Sequence, residues 1–125
     1  MITNDEFAHW LIDYGRAWEK GDPGAAAALF TEDAAYHETP FADPMRGHAA
    51  IRRYWQSGAA ESQMAVEFGY TILAIEGNLG VAHWRAVFMR VPSQTQVRLD
   101  GILTAEFDDS VRCKIFREWW HRLEM

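Results

Sequence analysis

The sequence predicts an α+β domain in which helices come first and an antiparallel meander of long strands follows. Three observations predict it. Apolar residues recur at helical spacing over the first twenty positions, alternation of period two takes over after residue 63, and Gly-, Pro- and Asp-containing turns cut the second half into hairpins. At 125 residues the chain is one domain, 1–125, with no linker, repeat or low-complexity segment. A chain near this size buries about two thirds of its unfolded surface, enough for a true core.

The elements follow in order. Thr3-x-x-Glu6 is a capping box, and Phe7, Trp10/Leu11, Tyr14 and Ala17/Trp18 then form one aromatic stripe, which predicts a helix over 4–20. Gly21 ends it. Asp22 caps a second helix with Pro23 at its first position, where the missing N–H costs nothing, and the AAAALF run makes that helix largely buried. Ala34–Glu38 reads as a short strand that breaks at Thr39-Pro40. A third helix follows Gly47, shows Ile51, Tyr54 and Trp55 on one face, and stops at Gly58. Val66, Phe68, Tyr70 and Ile72 alternate with Glu67, Gly69 and Thr71 as a strand, and Val81–Val91, Gln96–Phe107 and Val111–Arg122 return after successive turns.

Composition excludes several classes of function. A formal charge of −6 argues against a nucleic-acid binder, and acids are interspersed with the basic residues of Arg52-Arg53 and of 112–122. The first ten residues lack the basic and apolar regions of a signal peptide, and no apolar run is long enough to span a bilayer. With Cys113 as the single cysteine, a cytoplasmic, reducing location is expected. Metal binding is not expected either: the five histidines show no H-x-H or H-E-x-x-H spacing, and His37 and Glu38 point to opposite faces of a strand. Six tryptophans are more than a minimal core of this size needs, so some are expected to wall a pocket or cover an interface.

The phrases AWEKGDPGAAAALFTEDAAYHETPF, GHAAIRRYW, GVAHWRAVF and EFDD…FREWWH, in this order of elements, resemble the nuclear transport factor 2-like superfamily and more closely its SnoaL-like branch. The resemblance runs over nearly the whole chain. It implies a cone, or cystatin-like roll: a strongly curved antiparallel sheet wrapped around three N-terminal helices, with a pocket at one end. It also implies a homodimer through the outer sheet face.

The resemblance carries site residues with it. Against the ketosteroid isomerase pattern, Tyr14 stands eight residues before Asp22, where that family keeps its oxyanion-polarising tyrosine, and Glu38 falls at the general base. A carboxylate in an apolar pocket can shuttle a proton beside a carbonyl while a buried phenol supports the developing oxyanion. The isomerases' second donor, a protonated aspartate, aligns with Leu103, which has no proton to give. Against the limonene epoxide hydrolase pattern, Arg85 and Glu118 match an arginine and one acid, but Val87 replaces the other acid, so a hydrolase is not expected and an Arg85–Glu118 ion pair is. The expected pocket is lined by Trp18, Tyr36, Tyr54, Trp55, His83, Arg85, Leu103, Glu118 and Trp119. Trp119 and Trp120 point to opposite sides of the last strand, and Trp84 points away from Arg85. Two readings follow: a cofactor-free isomerase, cyclase or lyase acting on a small apolar molecule with a polar group, or a non-catalytic binding or structural dimer on the same fold.

Overall fold

The computed structural model describes residues 1–124, and three helices and six strands make up the fold. Helix α1 spans Asn4–Lys20, held at its start by the reciprocal Thr3–Glu6 capping box and at its end by Gly21 in the left-handed conformation, φ +61°. Helix α2, Pro23–Ala28, starts under the Asp22 carboxylate, which accepts from Ala25 N–H at 3.0 Å. Strand β1 covers Phe30–His37, longer at its start than the sequence suggests, and leaves Glu38 just past its last residue. The two-residue strand β2, Met45–Arg46, leads into helix α3, Gly47–Trp55. A π-helical turn, Gln56–Ala60, carries the chain past the expected stop at Gly58.

Strands β3 (Gln63–Glu76), β4 (Leu79–Arg90), β5 (Gln96–Phe107) and β6 (Cys113–Glu124) form the expected antiparallel meander. The last turn is organised by Asp108, whose carboxylate accepts from the N–H groups of Ser110 and Arg112, both at 2.9 Å. The sheet order is β2-β1-β6-β5-β4-β3. One junction is parallel: β1 runs alongside β6 with Tyr36 opposite Phe116 and His37 opposite Arg117. That junction matters most for the site, because one more step in the same register sets Glu38 beside Glu118. No helix among the described residues is long and apolar enough to cross a membrane.

The curved sheet turns its even-numbered β4 and β6 residues inward onto α1. Ala82, Trp84, Ala86 and Phe88 on β4 and Phe116 on β6 are all buried. Their partners are the aromatic stripe of α1: Trp10 stacks on Tyr14 at 5.4 Å between centroids, and Tyr14 stacks on Phe116 at 5.6 Å. Offset and edge contacts of this kind add about 0.5–1.5 kcal/mol per pair beyond the area buried, so the stripe fixes the helix rotation as well as its docking.

Gly101 marks the tightest approach in the sheet. It pairs directly with Trp120, and a Cβ there would fall 2.8 Å from Trp120 Cβ and closer still to the Trp119 carbonyl oxygen. Because the obstacle is backbone, it cannot swing aside. Gly101→Ala is therefore expected to destabilise the fold by about 1–3 kcal/mol, read as a lowered denaturant midpoint at unchanged slope.

Candidate functional site

A cavity of about 180 Å³ opens between α1, α3 and the inner sheet face, lined by Tyr14, Trp18, Tyr36, Glu38, Tyr54, Trp55, Trp84 and Glu118 toward its inner end. Each element delivers its residue by a simple rule. Tyr14 and Trp18 lie one turn apart on the α1 stripe, Tyr54 and Trp55 end α3, and Tyr36 and Glu38 alternate along the exit of β1. An apolar cavity of about 150 Å³ accommodates a benzene ring, so this one suits a small cyclic body.

Its polar groups form a connected set. The hydroxyls of Tyr14 and Tyr36 lie 3.2 Å apart, and either can donate to the other. Burial pushes the Glu118 carboxyl up to about 8; the negative charge of Glu38 adds to the rise, and the Tyr36 hydroxyl facing it opposes part of it. Burial, then the charge of Glu118, drives the phenols of Tyr14 and Tyr36 well above their ordinary range. The same two causes raise Tyr54, whose hydroxyl also faces Glu38. At neutral pH the cavity thus presents three neutral phenols and a protonated Glu118 around the carboxyl of Glu38. Two carboxyls in one pocket cannot both ionise cheaply, and the more buried one keeps its proton.

The surrounding indoles are held unequally. Trp18 donates its Nε1–H to Gln63 Oε1 at 2.6 Å, while Gln63 in turn donates to the Gly58 carbonyl at 3.2 Å. The indole N–H groups of Trp55 and Trp84 are buried without a partner among the described residues.

Five sequence expectations are corrected. His83 and Arg85 lie on the outer face of β4, His83 paired with Asp100 at 2.9 Å and Arg85 exposed over Gly69. The Arg85–Glu118 ion pair consequently does not form, since Glu118 is buried on the inner face. The alternation of β4 explains this: its apolar set, Ala82, Trp84, Ala86 and Phe88, takes the core side, which sends His83 and Arg85 outward. Trp119 is likewise outside, 45% exposed, and Trp120 takes the inner position. Leu103 is fully buried in the core and does not line the cavity; it sits directly opposite Glu118 across the β5–β6 ladder.

The sequence reading gives Trp84 no place in the pocket, sets Trp119 rather than Trp120 at its wall and pairs Glu118 with the wrong residue, and it does not single out Gln63, Phe88, Leu99, Arg90 or Arg122. The missed signal was legible in β4, where every second residue from Ala82 to Phe88 is apolar. His37, as expected from strand parity, faces away from Glu38, and no group of three or more His, Cys, Asp or Glu residues among the described ones is arranged to hold a metal.

A curved six-stranded sheet closed over an aromatic helix, with an acid- and phenol-lined cavity at its inner face, defines a cone-shaped α+β fold. The profile of the SnoaL-like domain matches residues 11–117, and the chain belongs to that family. Solved structures of the same shape include SalBIII, an epoxide hydrolase/cyclase-like enzyme of pyran ring formation in polyether salinomycin, at 21% identity over 97% of this chain and 95% of that one, with a TM-score of 0.82. They also include the Δ5-3-ketosteroid isomerase from Mycobacterium sp., at 14% identity over 96% of this chain and 98% of that one, TM-score 0.80. A computationally designed 17-OHP binder aligns at 12% identity over 94% of this chain and 96% of that one, TM-score 0.80. At these identities the likeness is one of fold. No curated protein matches the sequence.

Proposed function

We propose that the cavity binds a small apolar molecule bearing a carbonyl or related oxygen and moves a proton on it without a cofactor, as an isomerase, cyclase or lyase does. Glu38 is the base that takes the proton. Tyr14, backed by Tyr36, donates to the oxygen on which negative charge develops. The observation that carries this reading is the pairing of Glu38 with Glu118, whose carboxyl burial pushes up to about 8, in one phenol-lined cavity. An acid that burial keeps protonated, set beside a second carboxyl, supplies a donor and an acceptor in one cavity. Glu118 also stands across the ladder from Leu103, so a protonated acid is present one strand over from the position that lacks it. A homodimer through the outer sheet face belongs to the same proposal, supported by the exposed Leu73, Trp119 and Leu123 there, as does a cytoplasmic location, supported by the lone buried thiol of Cys113.

The test is deuterium wash-in from D₂O at the carbon next to the carbonyl of small cyclic ketones, followed by NMR. The wild type is expected to catalyse exchange, and Tyr14→Phe to slow it by about 10²-fold, the scale of losing one oxyanion donor. Absence of exchange with the wild type across the ketone panel would favour the second reading, a non-catalytic binding module. The unpartnered indole donors of Trp55 and Trp84 are the observation on its side, since a bound oxygen atom could satisfy them.

A further inference from the structure

The polar groups of the cavity are not distributed evenly along its length. On β6 the inward positions run from Phe116, fully buried, through Glu118, 6% exposed, to half-buried Trp120 and exposed Arg122. On β4 the same direction runs from Ala82 and Trp84, both buried, through Phe88 to half-buried Arg90. The open end of the cone is therefore the end at which both strands place an arginine. Arg90 and Arg122 both line the cavity, with Gln63 and Trp120 between the mouth and the aromatic interior.

The two guanidinium groups are not equivalent. Arg90 is already engaged: its Nε pairs with Glu124, and its guanidinium sits 5.9 Å from the centroid of the Phe88 ring. Arg122 has no carboxylate within ion-pair distance among the described residues. A cation without an acidic partner at the rim of an apolar cavity departs from the chain as a whole, whose formal charge of −6 repels anions. A cleft with low-dielectric walls focuses the field of such a charge along its axis.

We propose that the ligand of this cavity combines an apolar body with an anionic group, and that Arg122 at the mouth meets the anion while the ring system lies against Trp18, Trp84 and Trp120. The inference rests on the reading of the cavity as a ligand site and deepens it by naming the ligand class. A carboxylate is the simplest such group, and arginine is suited to it because its planar fork can make two parallel hydrogen bonds. Arg122 acts here in binding and takes no part in proton transfer.

The experiment compares 2-naphthoate with 2-naphthamide, two bicycles of nearly the same shape of which only the first is charged at pH 7.5, by equilibrium dialysis against the full chain. The wild type is expected to bind naphthoate about fivefold or more tightly than naphthamide, the scale of one partly exposed ion pair. Arg122→Gln removes the preference while holding the naphthamide affinity, which reports an intact cavity, and Arg122→Lys keeps part of it. Equal affinities in the wild type, binding of neither probe, a preference that survives Arg122→Gln, or loss of naphthamide binding in that variant each overturn the proposal. Deuterium exchange into ketones is read separately on the wild type. A naphthoate preference without any exchange leaves the anion site standing and removes only the catalytic reading.

Discussion

Replacing Glu38 by Gln is expected to reduce turnover by about 10²–10⁴-fold, the contribution of one positioned general base. The substitution keeps shape and hydrogen-bonding capacity and removes only the ability to accept a proton. Glu38 lies past the end of β1 and is half-buried, so its replacement strains no core packing and the variant should fold as the wild type does. Ligand affinity, measured with an unreactive probe, is expected to change much less than turnover, because an interaction needed only as the proton moves appears in kcat rather than in binding. Exchange rates for wild type and variant that agree within a few-fold would exclude Glu38 as the base. The pH profile carries a second check. Glu118 donates only while protonated, so wild-type turnover should fall as pH rises through about 8, and Glu118→Gln should lose that limb.

The second large effect is on stability. In the folded chain the Glu118 carboxyl holds its proton up to about 8, against 4.5 for an ordinary glutamate, because it is buried, with the charge of Glu38 adding to the effect. The folded state therefore binds more protons than the unfolded state between those two values. Stability is fully present below about pH 4.5 and declines as pH rises toward about 8, by up to about 1.4 kcal/mol per pH unit. Summed across the window this is a few kcal/mol, a large share of the 5–15 kcal/mol that typically holds a domain together. Glu118→Gln mimics the protonated acid and removes the titration. Urea denaturation at several pH values should show the wild type weakening from pH 5 to pH 9, and the variant nearly flat and the more stable of the two at the alkaline end. A wild type whose stability is level over that range would mean that Glu118 is ionised in the fold.

These effects meet at one residue whose position the sequence did not disclose. Glu118 is visible in the sequence as an acid in a strand, but the resemblance pairs it with Arg85. Strand parity separates them: Glu118 follows the inward Phe116, while Arg85 alternates with the inward Trp84 and Ala86. The same parity exchanges Trp119 for Trp120 at the cavity wall. In β4 the alternation was regular enough to decide the matter by itself. In β6 it was not, because FREWWH places large apolar residues on both faces, and only packing against α1 distinguishes them.

What the sequence by itself determined is local. The capping box at Thr3 and Glu6, the Asp22-Pro23 start of α2, the Gln96–Phe107 strand and the turn at Asp108 each arise from residues within a few positions of one another, and all stand where the sequence places them. Tyr14 and Trp18 on one helical stripe belong to the same category, since a helix fixes its own spacing. What only the tertiary structure decided is the meeting of distant strands. The parallel pairing of β1 with β6 brings Glu38 to Glu118 across eighty residues of chain. No period or motif encodes that register. It is set by Phe116 packing at once on Tyr14 and on Tyr36, with ring centroids 5.6 and 4.6 Å away. The burial that raises the Glu118 carboxyl follows from the same closure, because desolvation belongs to the assembled cavity and to no single segment of the chain.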